Sequence, residues 1–184
     1  MKKTLPSFLP LVFSVFLYGC PYDSPYNLDE SPLQNIDESL LGKWIAPIAR
    51  PGNKKYAGKG EWVKIFFEKR TDMDYDLVIT GHIEELNPYH VVTNDSIKGT
   101  AYLSAIAGKQ FLNAYIHGKV YIAEVKKDNG NVSILPLAEY FTSKLIKNSR
   151  ELRTAVEFHY KVQAKPGYDP FFCLKKLQRD VDAP

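Results

Sequence analysis

The chain has 184 residues with 24 Lys and Arg against 21 Asp and Glu, 22 Tyr and Phe, and only two cysteines. A near-balanced charge removes the clustered basic footprint that nucleic-acid binding needs, and Cys20 and Cys173 are too few for a disulfide-stapled scaffold. The length suits one domain with a sizeable core.

The first twenty residues, MKKTLPSFLPLVFSVFLYGC, decide the solvent in which the rest must work. Lys2 and Lys3 precede an apolar run from Leu5 to Leu17, and Leu17-Tyr18-Gly19-Cys20 closes it with a small residue before a cysteine. This is the layout of a secretory signal, and thirteen residues that include Pro6 and Pro10 are too few to span a bilayer, which takes ~20. The ending resembles the bacterial lipobox, Leu-x-[Gly/Ala]-Cys. That resemblance implies cleavage before Cys20, a diacylglycerol on its thiol, and a bacterial cell-envelope location, lipid-anchored at the outer membrane or periplasmic face. Removing residues 1–19 takes Lys2 and Lys3 with it and leaves 22 basic against 21 acidic residues. A lipid on Cys20 leaves Cys173, within the apolar run Phe171-Phe172-Cys173-Leu174, as a buried small hydrophobe.

Residues 20–39 carry three prolines and five acidic side chains with little apolar period, which predicts a flexible, extended tether. Asp29-Glu30 within it also has the composition of an acidic sorting signal. A single domain is then expected over 40–184. Leu41 to Ile45 predicts a first strand, Pro47 to Gly60 a loop rich in Gly, Pro and Lys, and Glu61 to Lys69 a strand in which Trp62, Lys64 and Phe66 alternate with Val63, Ile65 and Phe67. Lys54, Lys55 and Lys59 beside Tyr56 suit either a solvated loop or contact with anionic headgroups. Asp74 to Thr80 and His82 to Val92 follow as strands, the second interrupted at Asn87-Pro88.

From Thr100 the pattern is a meander. Strands over Thr100–Ala107, Gln110–Ile116, Lys119–Lys126 and Asn131–Leu137 are joined by turns at Gly108-Lys109, His117-Gly118 and Asp128-Asn129-Gly130. Ala138–Ile146 and Ser149–His159 change to helical spacing, the second with Ser149 as N-cap and Glu151 in its first turn. Asp169–Leu177 returns as a last strand. The fold class is therefore mainly β: an antiparallel meander forming a barrel or curled sheet, with one or two short helices near the C-terminus.

Gly42-x-Trp44 at the first strand, the long meander and the late helix resemble the lipocalin-like (calycin-like) barrels, in which that pair sits at the barrel floor. Gly108-Lys109-Gln110-Phe111-Leu112-Asn113, then Tyr121 and Ile134-Leu135-Pro136-Leu137, resemble a group of uncharacterised bacterial lipoproteins. A small barrel can hold one apolar or amphipathic ligand, and Trp62, Phe66, Tyr102, Phe111 and Tyr121 are the inward candidates for lining it. The other reading of the same alternation is a filled core, in a structural or interaction subunit of an envelope complex. The expected partners are thus the membrane, through the N-terminal lipid, and a small apolar ligand or an envelope protein.

Catalytic signatures such as a Gly-x-Ser-x-Gly elbow or His-Glu-x-x-His are missing from the sequence, so no enzyme, cofactor or metal is expected. His82, His90, His117 and His159 have no ligand spacing. Asp72, Asp74 and Asp76 alternate like half a calcium loop but lack its central glycine and closing glutamate, which leaves a solvated turn. Cys20→Ser is expected to release the protein from membranes; a variant that still sediments with them would show a different attachment.

Overall fold

The computed structural model describes residues 22–47, 62–81, 96–138, 141–142, 145–162 and 174–179. The predicted strand over His82–Val92, the Pro47–Gly60 loop beyond its first residue, Cys173 and the segment 1–21 lie outside them.

A two-residue strand β1 (Asp23–Ser24) precedes β2 (Gly42–Pro47), β3 (Trp62–Lys69), β4 (Tyr75–Gly81), β5 (Ser96–Ile106), β6 (Lys109–Ile116), β7 (Lys119–Asp128) and β8 (Asn131–Pro136). Helix α1 (Ser149–Lys161) and β9 (Leu174–Arg179) complete the order. Each strand from β2 to β8 pairs antiparallel with the next, and β9 pairs with both β8 and β2, so eight strands close into an up-and-down barrel. Closure leaves no open edge to recruit another chain.

Three two-residue hairpins drive the meander. Ala107-Gly108, His117-Gly118 and Asn129-Gly130 all have positive φ at both positions, the geometry whose twist matches that of the flanking strands. The first turn therefore sits one residue earlier than Gly108-Lys109, because Ala107 accepts a left-handed conformation (φ 50°) that its side chain disfavours.

Alternation along the strands builds two cores. One contains buried residues from all eight barrel strands, among them Trp44, Ile65, Phe67, Tyr75, Leu77, Leu103, Leu112, Val125, Ile134 and Leu177, and is the barrel interior. The other lies on the outside of the β5–β7 wall, where Phe111, Val120 and Ile122 pack under Leu28, Phe141 and the α1 residues Leu152 and Val156.

That outer core changes the reading of residues 22–39. Instead of an extended tether, the segment is bound along the barrel: Tyr22 donates its N–H to Leu137 O at 2.8 Å, β1 pairs with Val120 and Tyr121, and Leu28 is 1% exposed. Three of the five acidic residues that suggested solvation are partnered, Asp23 with Lys119, Asp29 with Arg153 and Asp37 with Lys127. Burying Leu28 stabilises this docking by about 1.5–3 kcal/mol, which offsets the backbone ordering of about one or two residues, so the hydrogen bonds and ion pairs along the segment must contribute the rest.

One α-helix is present among the described residues, where one or two were expected. Ala138 continues the sheet, Phe141 donates its N–H to Ala138 O at 2.9 Å, and the Phe141 ring is buried in the outer core; residues 139–140 and 143–144 of the other expected helix lie outside the described residues. The N-cap of α1 is Asn148 rather than Ser149: its Oδ1 accepts from Glu151 N–H at 2.9 Å, and Glu151 Oε2 accepts from Lys147 N–H at 2.9 Å.

Ala107→Asn, which places a residue tolerant of positive φ in the β5–β6 turn, is expected to raise stability by about 0.5–1 kcal/mol, read as a higher urea midpoint at unchanged m-value. A lowered midpoint would mean that the turn does not strain Ala107.

Candidate functional site

The barrel interior and the seal at one of its ends form the candidate site. The sealed end gathers the start of β2, the β3–β4 turn, the β5–β6 and β7–β8 hairpins and the end of β9. Across it runs Ile36 to Leu41, with a short 3-10 turn over Glu38–Leu40 capped by Asp37. Leu40 is fully buried and points into the interior core.

Polar contacts from several strands hold this plug. Trp44 Nε1 donates to Leu40 O at 2.7 Å. Tyr75 Oη accepts from Asp37 N–H at 2.6 Å and donates back to Asp37 O at 3.1 Å, so an interior tyrosine sends its polar tip out through the floor. Burial pushes the Tyr75 phenol up to about 12, so it stays a neutral donor. Arg179 donates to Leu41 O and, at 2.7 Å, to Ser39 O, while its guanidinium carbon lies 4.3 Å from the centre of the Trp44 ring. Gly42 is needed beside it: its φ is +103°, and a Cβ there would stand 2.5 Å from Arg179 Nη1. The Gly-x-Trp spacing thus has a local cause, one residue making room for the guanidinium and the other stacking against it.

Above the floor, large side chains on β2–β4 face small ones on β5–β7. Tyr75 pairs across the ladder with Ala101, and Ala101 with Ala114; Leu77 pairs with Gly99. Trp44 and Phe67 join Tyr75, with Phe67 and Tyr75 edge to face at 5.6 Å. Towards the other end the inward residues are aliphatic, with Val63, Ile79, Ile97 and Ile116, and with Tyr121 half-buried among them.

The five residues expected to line a cavity are not brought together. Tyr121 faces the interior core. Phe66 pairs with Lys43 and Val78 on the outward phase of β3, half-buried, opposite in direction to Ile65 and Phe67. Tyr102 is also outward, its hydroxyl donating to Asp29 O, and Phe111 is buried in the outer core against Tyr160, ring centres 6.0 Å apart. Trp62 opens β3 opposite Pro47, and its side chain lies outside the described residues. Phe67, Tyr75 and Ile97 are among the interior side chains that the sequence reading passed over, and Trp44 lies at the sealed end. Lys64 beside Phe66, and Asn113 between Phe111 and Tyr115, were the available signals that those phases face out.

The outer wall also carries buried polar groups, each partnered. Asn113, 1% exposed, accepts Leu28 N–H at 2.8 Å through Oδ1 and donates to Ser104 Oγ at 2.8 Å. Arg153 reaches Asp29 Oδ1 and Ala105 O, both at 2.6 Å. Glu124, 1% exposed, accepts from Tyr160 Oη at 2.9 Å and lies 3.5 Å from Lys126 Nζ. Burial and the Glu124 charge both push the Tyr160 phenol up. These groups fasten the N-terminal segment and α1 to the barrel, and a satisfied network of this kind specifies packing rather than chemistry.

Of the histidines, His117 occupies a hairpin turn and His159 Nε2 lies 2.6 Å from Phe141 O; His82 and His90 are outside the described residues. Asp72 pairs with Lys69, and Asp74 accepts from Thr71 Oγ1 at 2.6 Å, so both belong to the β3–β4 turn. Among the described residues no group of three or more His, Cys, Asp or Glu is placed to hold a metal ion. Comparison of the chain with protein-family models, with curated proteins and with solved structures found no match in any of the three.

Asp37 gives the floor a pH signature. Burial pushes its carboxyl up, but hydrogen bonds from Lys127 and Ser39 more than reverse this and hold it below the ordinary 3.8. A depressed folded-state value stabilises the protein above the unfolded-state pKa, and the contribution is lost as pH falls through the folded one. Asp37→Asn is therefore expected to lower the urea midpoint at pH 7, with the gap to the parent closing as pH drops below about 3.8. A gap that persists undiminished to pH 2 would assign the effect to something other than the Lys127 pair.

Proposed function

We propose that the protein is a lipoprotein of the bacterial cell envelope, anchored through Cys20, and that its barrel is a non-catalytic carrier or sensor of one small apolar or amphipathic ligand. The observation that carries the ligand reading is the apolar lining of the interior, which among the described residues runs from the Asp37–Leu41 plug through Val63, Ile79, Ile97 and Ile116. An apolar ligand held in that interior would meet Tyr121, whose hydroxyl offers a polar handle of the kind such sites commonly use. The anchor rests on Leu17-Tyr18-Gly19-Cys20 and the short apolar run before it.

A second reading has an observation of its own. The aromatic side chains Trp44, Phe67 and Tyr75 fill the space left by Gly99, Ala101 and Ala114, which favours a packed interior and an interaction subunit that works through its outer surface. Native mass spectrometry of the protein from its host separates the two. A retained small molecule, with retention reduced at least about ten-fold by Tyr121→Ala, is the outcome expected of the carrier; that factor corresponds to ~1.4 kcal/mol of lost contact. A bare polypeptide mass accompanied by a co-purifying protein would replace the carrier reading with the interaction one.

A further inference from the structure

We infer that the wall of the barrel bearing α1 is a membrane-contact surface, laid directly on the bilayer that holds the anchor. This rests on the lipoprotein reading of Cys20. Its independent support is the packing of Tyr22, two residues after Cys20 in the sequence.

Tyr22 is fixed: its N–H is bonded to Leu137 O at 2.8 Å, its ring stands edge-on to Phe141 at 4.8 Å, and the next two residues form β1. Only Pro21 separates it from Cys20. Two residues at full stretch span about 7 Å, so an acylated Cys20 holds the outer wall within a side chain's length of the glycerol layer. A domain tied this closely must present one face to the lipid.

Tyr22 selects that face. Its partner Phe141 lies 6.2 Å from His159, ring centre to ring centre, and accepts the 2.6 Å contact from His159 Nε2; Phe158 is the adjoining residue. The C-terminal half of α1 is thus one ring layer from the anchor point. While Leu152 and Val156 turn inwards, Phe158 and Val162, one helical turn apart, are 60% and 50% exposed, and Leu145 just before the helix is 80% exposed. Among the described residues no helix is long and apolar enough to cross a membrane, so α1 would lie in the interface rather than span it. Large apolar side chains, exposed on a helix one ring layer from a lipid anchor, fit the headgroup–acyl boundary better than water.

The test uses the processed protein extracted from its own membranes, carrying Phe158→Trp and separately Val162→Trp, reconstituted in phosphatidylcholine vesicles with brominated acyl chains. The emission added by either substitution is expected to fall at least about two-fold relative to vesicles without bromine, because interfacial side chains sit ~5–10 Å into the boundary. Glu68→Trp, on β3 across the barrel from β7, is expected to remain unquenched. Inserting about ten Gly and Ser residues between Pro21 and Tyr22, a coil of ~18 Å, should restore most of the lost emission. Intact mass separates the two ways to fail. An unmodified Cys20 overturns the anchor and this inference together. An acylated Cys20 on vesicle-bound protein, with both α1 variants unquenched or with quenching unchanged by the insertion, overturns this inference and leaves the anchor standing.

Discussion

The sealed floor of the eight-stranded ring is organised around one side chain on β9. Arg179 bonds the carbonyls of Ser39 and Leu41 and stacks on Trp44, joining positions up to 140 residues apart. Without it, β9 would still have partners on both sides, but the floor would lose the group that ties plug, first strand and last strand to one another. Because the guanidinium is planar and donates in a fixed fork, it meets two carbonyls and an aromatic face at once, which an ammonium group cannot do. Gly42, Trp44 and the Asp37–Leu41 turn are arranged around that shape.

Much of the architecture was legible in the sequence, and the reasons are local. The β5–β8 meander is written in three X-Gly pairs whose backbone demands are specific to hairpins, and α1 in a stripe of Leu152, Ala155 and Val156. What could not be read was which phase of each strand faces in. On β5–β7 both faces are buried, one in the barrel and the other under α1 and residues 22–28, so apolar side chains occupy both phases and aromatic content is no guide. Phe111 is as buried as Phe67, yet the two belong to different cores. The polar members of each phase, Lys64 and Asn113, carried the direction.

The segment 22–39 was misleading for a related reason. Prolines and carboxylates give it the composition of a solvated linker, but composition does not record partners that lie far along the chain. Asp29 meets Arg153, and Leu28 meets Asn113, 124 and 85 residues away. Its few apolar residues suffice because the wall they join already exposes Val120 and Ile122, and covering an existing apolar surface needs little area from the newcomer. The outer wall is therefore a second core built from remote pieces, and it fixes the position of Tyr22.

The Arg179 seam also sets an order of events. Leu41 and Arg179 are 138 residues apart, and at ~5–20 residues per second a ribosome takes on the order of ten seconds to make the stretch between them. Throughout that interval β2 has a neighbour on one side only. A nascent barrel of this topology is an open, sticky sheet for most of its synthesis, and its last half-dozen strand residues convert it into a particle that a chaperone can release.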